Sequence, residues 1–296
     1  MTGAPAAPAG AVDGPVPAPV RALLSVGDDD VTVVRGGRGE PVVYLHGLCD
    51  LHATSDGAAW TPFLGRLAEH AEVIAPALPG YNASTGVDRL EDVEDYVWHL
   101  GDIWAASGLG RVDVVGHSLG GWLAAELALR RPELVRRLVL VSPLGAHVPG
   151  LVVPPFFGAV APRGIGGAGE ARRLLFFDPD GAPAVSALPD VMTREQQLLW
   201  FGGLAGAARL GWKAPHFQSR KLSSRLGRIG VDTLVVRGVG DALVPAAMAR
   251  AWADGLASAS LVEVAGAGHC VALEAPESVD EVVRFLRGGA GSGVAS

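Results

Sequence analysis

Short apolar runs alternate with longer amphipathic stretches along most of the chain. The runs are rich in β-branched residues and predict strands at 31–36, 41–47, 71–80, the start of 111–133, 136–145, 231–241 and 260–266. Apolar positions three or four residues apart predict helices at 58–70, 90–104, the rest of 111–133, 245–255 and 275–288. Near-continuous apolar strands separated by helices are typical of an α/β fold with a mostly parallel central sheet covered on both faces.

The alternation breaks between residues 146 and 229. This stretch contains helix-like segments at 169–177 and 193–210, with Pro and Gly between them and no strong strand pattern. We therefore predict a mainly helical insertion in an otherwise continuous α/β core. The chain then divides into a flexible tail at 1–19, a core formed by 20–145 and 230–288, the insertion at 146–229 and a second flexible tail at 289–296.

Acidic residues outnumber basic residues by 31 to 24, so the formal net charge is −7. Because no stretch is basic enough to neutralise a row of phosphates, we do not expect a nucleic-acid partner. The two cysteines, Cys49 and Cys270, are too few for a disulfide framework and fit a reducing compartment. The most apolar stretch is interrupted by Pro154 and Pro155 before it reaches the ~20 residues of a membrane span. We expect a cytoplasmic protein with no membrane partner.

The most specific signal is the segment GHSLG at residues 116–120. It fits the pattern G-x-S-x-G and lies where a predicted strand meets a predicted helix, which is the setting that this pattern requires. Small residues at both ends allow a sharp turn that exposes the hydroxyl of Ser118, and the following helix supplies N–H groups where negative charge would develop. We predict that Ser118 is a nucleophile. The alternative is a glycine-rich turn that carries an incidental serine.

A serine nucleophile needs a base to take its proton and a further group to orient that base. His269 lies in a glycine-bordered loop after the last predicted strand, and Asp241 lies just after the preceding strand. The chain order Ser118, Asp241, His269 is expected when the three follow successive strands of one sheet. Taken singly, Asp241 could cap a helix and His269 could bond a loop carbonyl. Asp232 is a weaker acid candidate because it precedes its strand, at the opposite edge of the sheet.

Together these segments resemble the α/β-hydrolase superfamily over nearly all of residues 20–288. The resemblance is carried by HGLC at 46–49, GHSLGG at 116–121, GVGDALVP at 238–245 and GAGHCVALEAPE at 266–277. By this likeness Ser118 is the nucleophile, and His269 is the general base and then the general acid. Asp241 would hold and stabilise the imidazolium that forms.

The resemblance also implies an oxyanion hole, a lid and a reaction. The oxyanion would be bound by the backbone N–H groups of Leu119 and Leu48, and the insertion resembles the lid of that family. We expect hydrolysis of an ester or related acyl bond in a small to medium, largely apolar substrate, through an acyl-enzyme and without a cofactor or metal. Carbon–carbon bond hydrolysis, thioester hydrolysis and a lyase or cyclisation step are alternatives on the same triad. Carbon–carbon hydrolases commonly place a tryptophan where this chain has Cys270, and a non-catalytic ligand-binding protein is a further alternative.

Two other segments suggest different chemistry. HGLCDLHATSD at 46–56 has zinc-like spacing of His, Cys and Asp, but structural zinc sites need four well-placed donors and usually a second cluster, which the sequence lacks. We expect instead that the loop from Cys49 to Asp56 lies over the pocket mouth and contacts the substrate. GIGGAG at 164–169 satisfies G-x-G-x-x-G, but a dinucleotide site needs a strand before it, and the preceding ten residues contain three prolines. A flexible lid segment is the favoured interpretation.

Overall fold

The computed structural model describes residues 17–47, 60–154, 156–160, 167–214 and 216–289. The strands in these ranges are β1 (Val20–Val26), β2 (Asp29–Gly37), β3 (Pro41–Leu45), β4 (Glu72–Pro76), β5 (Val112–His117), β6 (Val135–Val141), β7 (Gly145–Ala146), β8 (Gln218–Ser219), β9 (Thr233–Gly238) and β10 (Ala259–Val264). The α-helices are α1 (Pro62–Ala68), α2 (Val93–Ala106), α3 (Leu119–Arg130), α4 (Phe156–Val160), α5 (Gly167–Leu175), α6 (Ala182–Ala187), α7 (Arg194–Gly211), α8 (Arg220–Ser223), α9 (Ala246–Gly255), α10 (Val271–Glu274) and α11 (Val279–Leu286).

Eight strands form one sheet in the order β1-β2-β4-β3-β5-β6-β9-β10. The neighbours from β4 to β10 pair in parallel, whereas β2 is antiparallel to both β1 and β4. The carboxyl ends of β3, β5, β9 and β10 therefore meet at one edge, where the candidate catalytic residues follow. The predicted α/β fold with a mostly parallel sheet flanked by helices is confirmed.

The central strands are buried on both faces. In β6, Leu138 and Leu140 belong to a hydrophobic cluster with α2, α3 and α9, whereas Val139 and Val141 belong to a second cluster with α1 and α11. Side chains of a strand alternate between faces, so an apolar residue at every position requires a helical layer on each side. This arrangement explains why the strands read as continuous apolar runs.

The edge strand β1 was missed by the sequence pattern. Its side chains are mostly exposed, with Val20 and Leu23 at 65% and 61% of full exposure, so its sequence shows no buried alternation. Seven residue pairs to β2 hold it, from Val20↔Arg35 to Val26↔Asp29, and Gly27 takes a positive φ of 59° in the connecting turn. This strand is therefore defined by its backbone pairing with β2 and by the connecting turn, and not by the burial of its side chains.

The insertion, residues 146–229, consists mainly of helices α4 to α8 where it is described. Its buried side chains Phe176, Trp200 and Leu204 belong to the same hydrophobic cluster as α2, α3 and α9. The hydroxyl of Tyr96 in α2 also donates to the carbonyl of Gly206 in α7 at 3.2 Å. The insertion thus packs directly onto the helical layer above the sheet, and its assignment as a separate lid stays a prediction.

Other predicted features fall wholly or partly outside the described residues. These are Leu48, the loop from Cys49 to Asp56, and most of the tails at 1–19 and 289–296. Within the described ranges, no helix has both the length and the apolar character that crossing a bilayer demands.

Candidate active site

Ser118 occupies a tight turn between β5 and α3. Its backbone has φ 53° and ψ −114°, a conformation that costs about 1–3 kcal/mol in a residue other than glycine and persists only where neighbours impose it. The N–H of Ser118 donates to the carbonyl of Val141 at 2.9 Å, and its carbonyl accepts the N–H groups of Trp122 and Leu144, both at 3.1 Å. These three bonds hold the turn at the carboxyl edge of the sheet.

The glycines around Ser118 are required by close packing. A Cβ atom added at Gly116 would lie 2.5 Å from the carbonyl oxygen of Gly120, and one added at Gly120 would lie 2.1 Å from that of Leu45. A Cβ at Gly47, in the HG segment after β3, would lie 2.8 Å from the Cβ of Ser118. The motif therefore allows α3 to begin directly against the end of β3, with Gly47 beside the serine.

Ser118, His269 and Asp241 form a continuous chain of hydrogen bonds. The Oγ of Ser118 lies 2.7 Å from Nε2 of His269, and Nδ1 of His269 lies 3.0 Å from Oδ2 of Asp241. Their exposed fractions are 4%, 0% and 4% in the same order. The geometry allows the imidazole to accept the serine proton while the carboxylate stabilises the positive charge that results.

Asp241 is held by its own turn and by Arg237. Its Oδ1 accepts the N–H groups of Leu243 and Val244 at 2.9 and 2.7 Å. Asp241 therefore holds the turn before α9 but does not cap this helix, whose N-cap residue is Pro245 with no side-chain cap. The buried guanidinium of Arg237 donates to the carbonyls of Val239, Asp241 and Val244 and pairs with Glu263 at 2.8 Å. Arg237 thus fixes the backbone on which the acid is carried.

The peptide group between His269 and Cys270 is hydrogen-bonded at both of its polar atoms. Its carbonyl accepts a hydrogen bond from Nε2 of His117 at 2.8 Å, and the N–H of the next residue, Cys270, donates to the carbonyl of Leu175 at 3.0 Å. Cys270 itself is fully buried and belongs to the hydrophobic cluster, so its side chain is packed in the core.

Glu274 links the insertion to the loop that carries His269, which we call the histidine loop. Its Oε1 accepts the N–H groups of Phe177 and Asp178 at 2.8 and 3.1 Å, and its Oε2 accepts that of Gly268 at 2.7 Å. Burial raises the pKa of the Glu274 carboxyl above its ordinary value, against the opposing effect of these three N–H groups. No role was predicted for Glu274, His117 or Arg237, although the first two lie in the motif segments. His117 bonds a carbonyl 152 positions away and Glu274 bonds two N–H groups almost 100 positions away, whereas the carbonyl partners of Arg237 are within seven positions.

Asp232, the weaker acid candidate, lies elsewhere. It precedes β9, and its Oδ1 accepts the hydroxyl of Ser258, which precedes β10, at 2.8 Å. It therefore lies at the amino ends of these strands, opposite the edge that carries Asp241, as its position in the sequence indicated.

The predicted oxyanion donors are described only in part. Leu119 is the first residue of α3, so its N–H has no intrahelical acceptor. Leu48 lies outside the described residues, but the turn before it is visible. Nδ1 of His46 donates to the carbonyl of Gly47 at 2.9 Å, and Nε2 of His46 accepts the N–H of Leu78 at 2.8 Å. The imidazole of His46 thus fixes the direction in which the chain leaves β3.

Neither the zinc-like segment at 46–56 nor the GIGGAG segment at 164–169 gains support from the described residues. Among them, no three His, Cys, Asp or Glu side chains converge as metal ligands. In GIGGAG, positions 164–166 are not described, and positions 167–169 lie in α5. The nearest described element before the segment is helix α4, whereas a dinucleotide fingerprint needs a strand there.

Comparison with known proteins identifies the family. The sequence model of the alpha/beta hydrolase family matches residues 42–282, and the chain belongs to this family. It is 31% identical over 257 residues to the polyketide synthase ThaQ of Burkholderia thailandensis, a match that covers 85% of this chain but only 12% of ThaQ. It is 28% identical over 256 residues to the 2-hydroxymuconate semialdehyde hydrolase of Pseudomonas sp. strain CF600, covering 80% of this chain and 83% of that protein.

A solved structure shows the same fold. The 2-hydroxy-6-oxo-6-phenylhexa-2,4-dienoate hydrolase of Rhodococcus sp. strain RHA1 superposes with a TM-score of 0.69 at 21% identity, covering 91% of this chain and 99% of that one. The family and the fold are those expected from the sequence motifs.

Proposed function

We propose that this protein is a serine hydrolase that cleaves an ester or related acyl bond through an acyl-enzyme. The observation that carries the proposal is the buried chain of hydrogen bonds from Ser118 through His269 to Asp241. The alternatives of an incidental serine, a helix-capping aspartate and a histidine bonded to a loop carbonyl account for neither of these contacts. Membership of the alpha/beta hydrolase family supports hydrolysis as the class of reaction.

In the proposed reaction, His269 takes the proton of Ser118 as Oγ attacks the substrate carbonyl. The N–H of Leu119, with that of Leu48, stabilises the tetrahedral oxyanion. Collapse of this intermediate breaks the ester bond, and the alcohol leaves with the proton held by His269. A water molecule, deprotonated by His269, then attacks the acyl-enzyme. The bond between the acyl carbon and Oγ breaks, His269 returns the proton to Oγ of Ser118, and the carboxylic acid is released.

The insertion supports an apolar substrate at one position. Phe177 is 55% exposed, and its ring lies beside the loops that carry the acid and the base, because a Cβ at Gly240 would be 2.4 Å from Phe177 Cδ2. Among the other aromatic side chains of the insertion, Phe176 and Trp200 are buried in the cluster shared with the core, whereas Phe201 and Trp212 are each 63% exposed. Phe156 and Phe217 are buried and contact each other edge to face, with ring centroids 5.3 Å apart.

Replacing Ser118 by alanine tests the nucleophile. Ser118→Ala should lower turnover of a short p-nitrophenyl ester by about a thousand-fold or more, because no other group in the triad can form the acyl-enzyme. Ser142→Ala is the matched control: Ser142 is also buried with a positive φ at the end of a neighbouring strand, and its hydroxyl has no hydrogen bond within the described part of the chain. We expect this control to keep most of the activity. Turnover by Ser118→Ala close to that of the wild type would exclude the assignment.

Carbon–carbon bond hydrolysis is the second candidate. It is favoured by the likeness to 2-hydroxymuconate semialdehyde hydrolase, which extends over 80% of this chain. A panel of p-nitrophenyl esters, acyl thioesters and vinylogous 1,5-diketones, each assayed with wild type and Ser118→Ala, separates the candidates. A much higher kcat/KM on the diketones than on either ester or thioester would assign the carbon–carbon reaction instead.

A further inference from the structure

His117, the residue before the nucleophile, contacts the candidate base although 152 positions separate them in the sequence. Its side chain is fully buried, and its Nε2 lies 2.8 Å from the carbonyl oxygen of His269. The two imidazole rings lie 5.2 Å apart between centroids, at an angle of 39°. No feature of the proposed reaction uses this side chain directly.

The contact fixes the tautomer of His117. A carbonyl oxygen only accepts hydrogen bonds, so Nε2 of His117 must carry the proton and Nδ1 is unprotonated in the neutral ring. Nδ1 faces the other side of the site, where a Cβ added at Gly47 would lie 3.1 Å from it. The ring therefore lies between the histidine loop and the HG turn that leads to Leu48.

Two hydrogen bonds join His269 to the consecutive residues His117 and Ser118. The side chain of His269 bonds Ser118, and the main chain of His269 bonds His117. Together with the peptide bond between His117 and Ser118, they form a small closed ring of contacts. Because the backbone of His117 is covalently joined to that of Ser118, a movement of the histidine loop away from the nucleophile turn would lengthen the bond at His117.

We propose that His117 is a positioning residue, which holds the backbone of His269 at the distance from Ser118 that proton transfer requires. This role rests on the proposed serine hydrolase function. Under this role, a side chain able to donate a hydrogen bond from the position of Nε2 should preserve the position of His269 relative to Ser118. A side chain of similar length without a donor should not. Pure packing of a buried ring would make both replacements equally harmful.

The test compares His117→Gln, whose amide reaches about as far as Nε2, with His117→Met, which is similar in length but has no donor. On a p-nitrophenyl ester, His117→Met should lower kcat by about 10- to 100-fold with little change in KM, because a misplaced base slows proton transfer but leaves the substrate pocket intact. His117→Gln should recover most of the loss. The acid limb of the pH–rate profile should move in His117→Met and return towards the wild-type position in His117→Gln.

His117→Asn provides a second comparison should the methionine variant fail to fold. Asparagine is polar like glutamine but too short to reach the carbonyl of His269, so the rate of labelling by a fluorophosphonate should be lower than in His117→Gln. Equal rates for these two amides, or full kcat with an unchanged pH profile in a folded His117→Met, would overturn the role.

A measurement without turnover separates this inference from the function on which it rests. The proton on Nδ1 of His269, bonded to Asp241, should give a downfield proton resonance in protein labelled with ¹⁵N-histidine. We expect this resonance to shift or broaden in His117→Met and to remain in His117→Gln. An unchanged resonance in His117→Met contradicts positioning by His117, whereas failure of wild-type protein to turn over any ester, thioester or diketone contradicts the proposed function alone.

Discussion

At the residue scale, the candidate site shows how buried polar groups satisfy one another. An unpaired buried donor or acceptor costs about 1–3 kcal/mol, so each member of the site has several partners. Asp241 is the clearest case. One oxygen accepts two backbone N–H groups, and both carboxylate oxygens lie within 3.2 Å of Nδ1 of His269. The carboxylate therefore shapes its own turn and orients the base.

Replacing Asp241 by asparagine should separate these two roles. In Asp241→Asn the amide oxygen can still accept the N–H groups of Leu243 and Val244, so the turn should persist. The amide NH₂ would face Nδ1 of His269 and favour the tautomer with the proton on Nε2, which cannot accept the proton of Ser118. We expect kcat for a p-nitrophenyl ester to fall by about 10⁴-fold while the circular dichroism spectrum stays that of the wild type.

Asp232→Asn is the control for this prediction. Asp232 is an acid of the same type before the same strand, at the opposite edge of the sheet, where it bonds Ser258. Turnover by this variant should resemble that of the wild type. Equal activity in Asp241→Asn and Asp232→Asn would remove Asp241 from the proposed triad.

At the element scale, hydrogen bonds connect the end of α5 to the loop that carries His269. Leu175 accepts the N–H of Cys270, and Glu274 of α10 accepts N–H groups from both segments. A Cβ at Gly268 would also lie 2.6 Å from the backbone nitrogen of Phe177, so these two backbones are in direct contact. The position of the insertion and that of His269 are therefore coupled through main-chain atoms.

The stability contributed at Glu274 should depend on pH with a defined sign. Because burial raises its folded pKa above the ordinary value of 4.5, the folded state binds the proton more tightly than the unfolded state. The free energy of unfolding should therefore fall in the wild type, relative to Glu274→Gln, as pH rises from 4.5 through the raised folded pKa. Above that pKa the difference should become constant. Urea denaturation of both proteins across this range measures it.

Glu277→Gln is the matched control, because Glu277 is an exposed glutamate three residues further along. Its stability difference from the wild type should not follow the same pH dependence. A wild-type advantage over Glu274→Gln that increases with pH would show that the three N–H groups outweigh burial at this carboxylate.

At the scale of the whole molecule, one hydrophobic cluster joins the insertion to the α/β core. It contains Trp200 of α7 together with Trp104 of α2 and Trp252 of α9. These residues are 4%, 1% and 0% exposed in the same order. Since their packing is continuous, we expect a loss of contacts in the insertion to lower the stability of the sheet as well.

Truncation of Trp200 tests this continuity. Trp200→Ala should lower the free energy of unfolding of the whole protein by about 3–5 kcal/mol, in a single transition seen alike by far-ultraviolet circular dichroism and by tryptophan fluorescence. Phe201→Ala is the control on the same helix, since Phe201 is 63% exposed and its loss should have a small effect. Melting of the helices at lower temperature, with the transition of the sheet unchanged, would show that the insertion unfolds independently.

The strongest sequence predictions were those that rest on local pattern. The apolar runs indicated both the strands and their burial on two faces, and the order of motifs along the chain indicated that Ser118, Asp241 and His269 would meet at one edge. Strand β1 was missed because its residues are exposed and only pairing with β2 defines it. The contacts of His117 and Glu274 were missed because they depend on backbone groups that folding brings near from distant positions. Those of Arg237 are mostly local, but bonds from a side chain to turn carbonyls leave no periodic signal.

The sequence by itself therefore determined the fold class, the family and the three residues proposed for catalysis, because each is encoded in a local pattern: alternation, a glycine-bounded turn, or a polar residue directly after an apolar run. The tertiary structure decided how that site is held together. Whether His117 bonds His269, whether Glu274 fastens the insertion to the histidine loop, and whether the insertion shares the core all depend on distances between segments far apart in the chain. Such distances are set by the packing of the whole molecule.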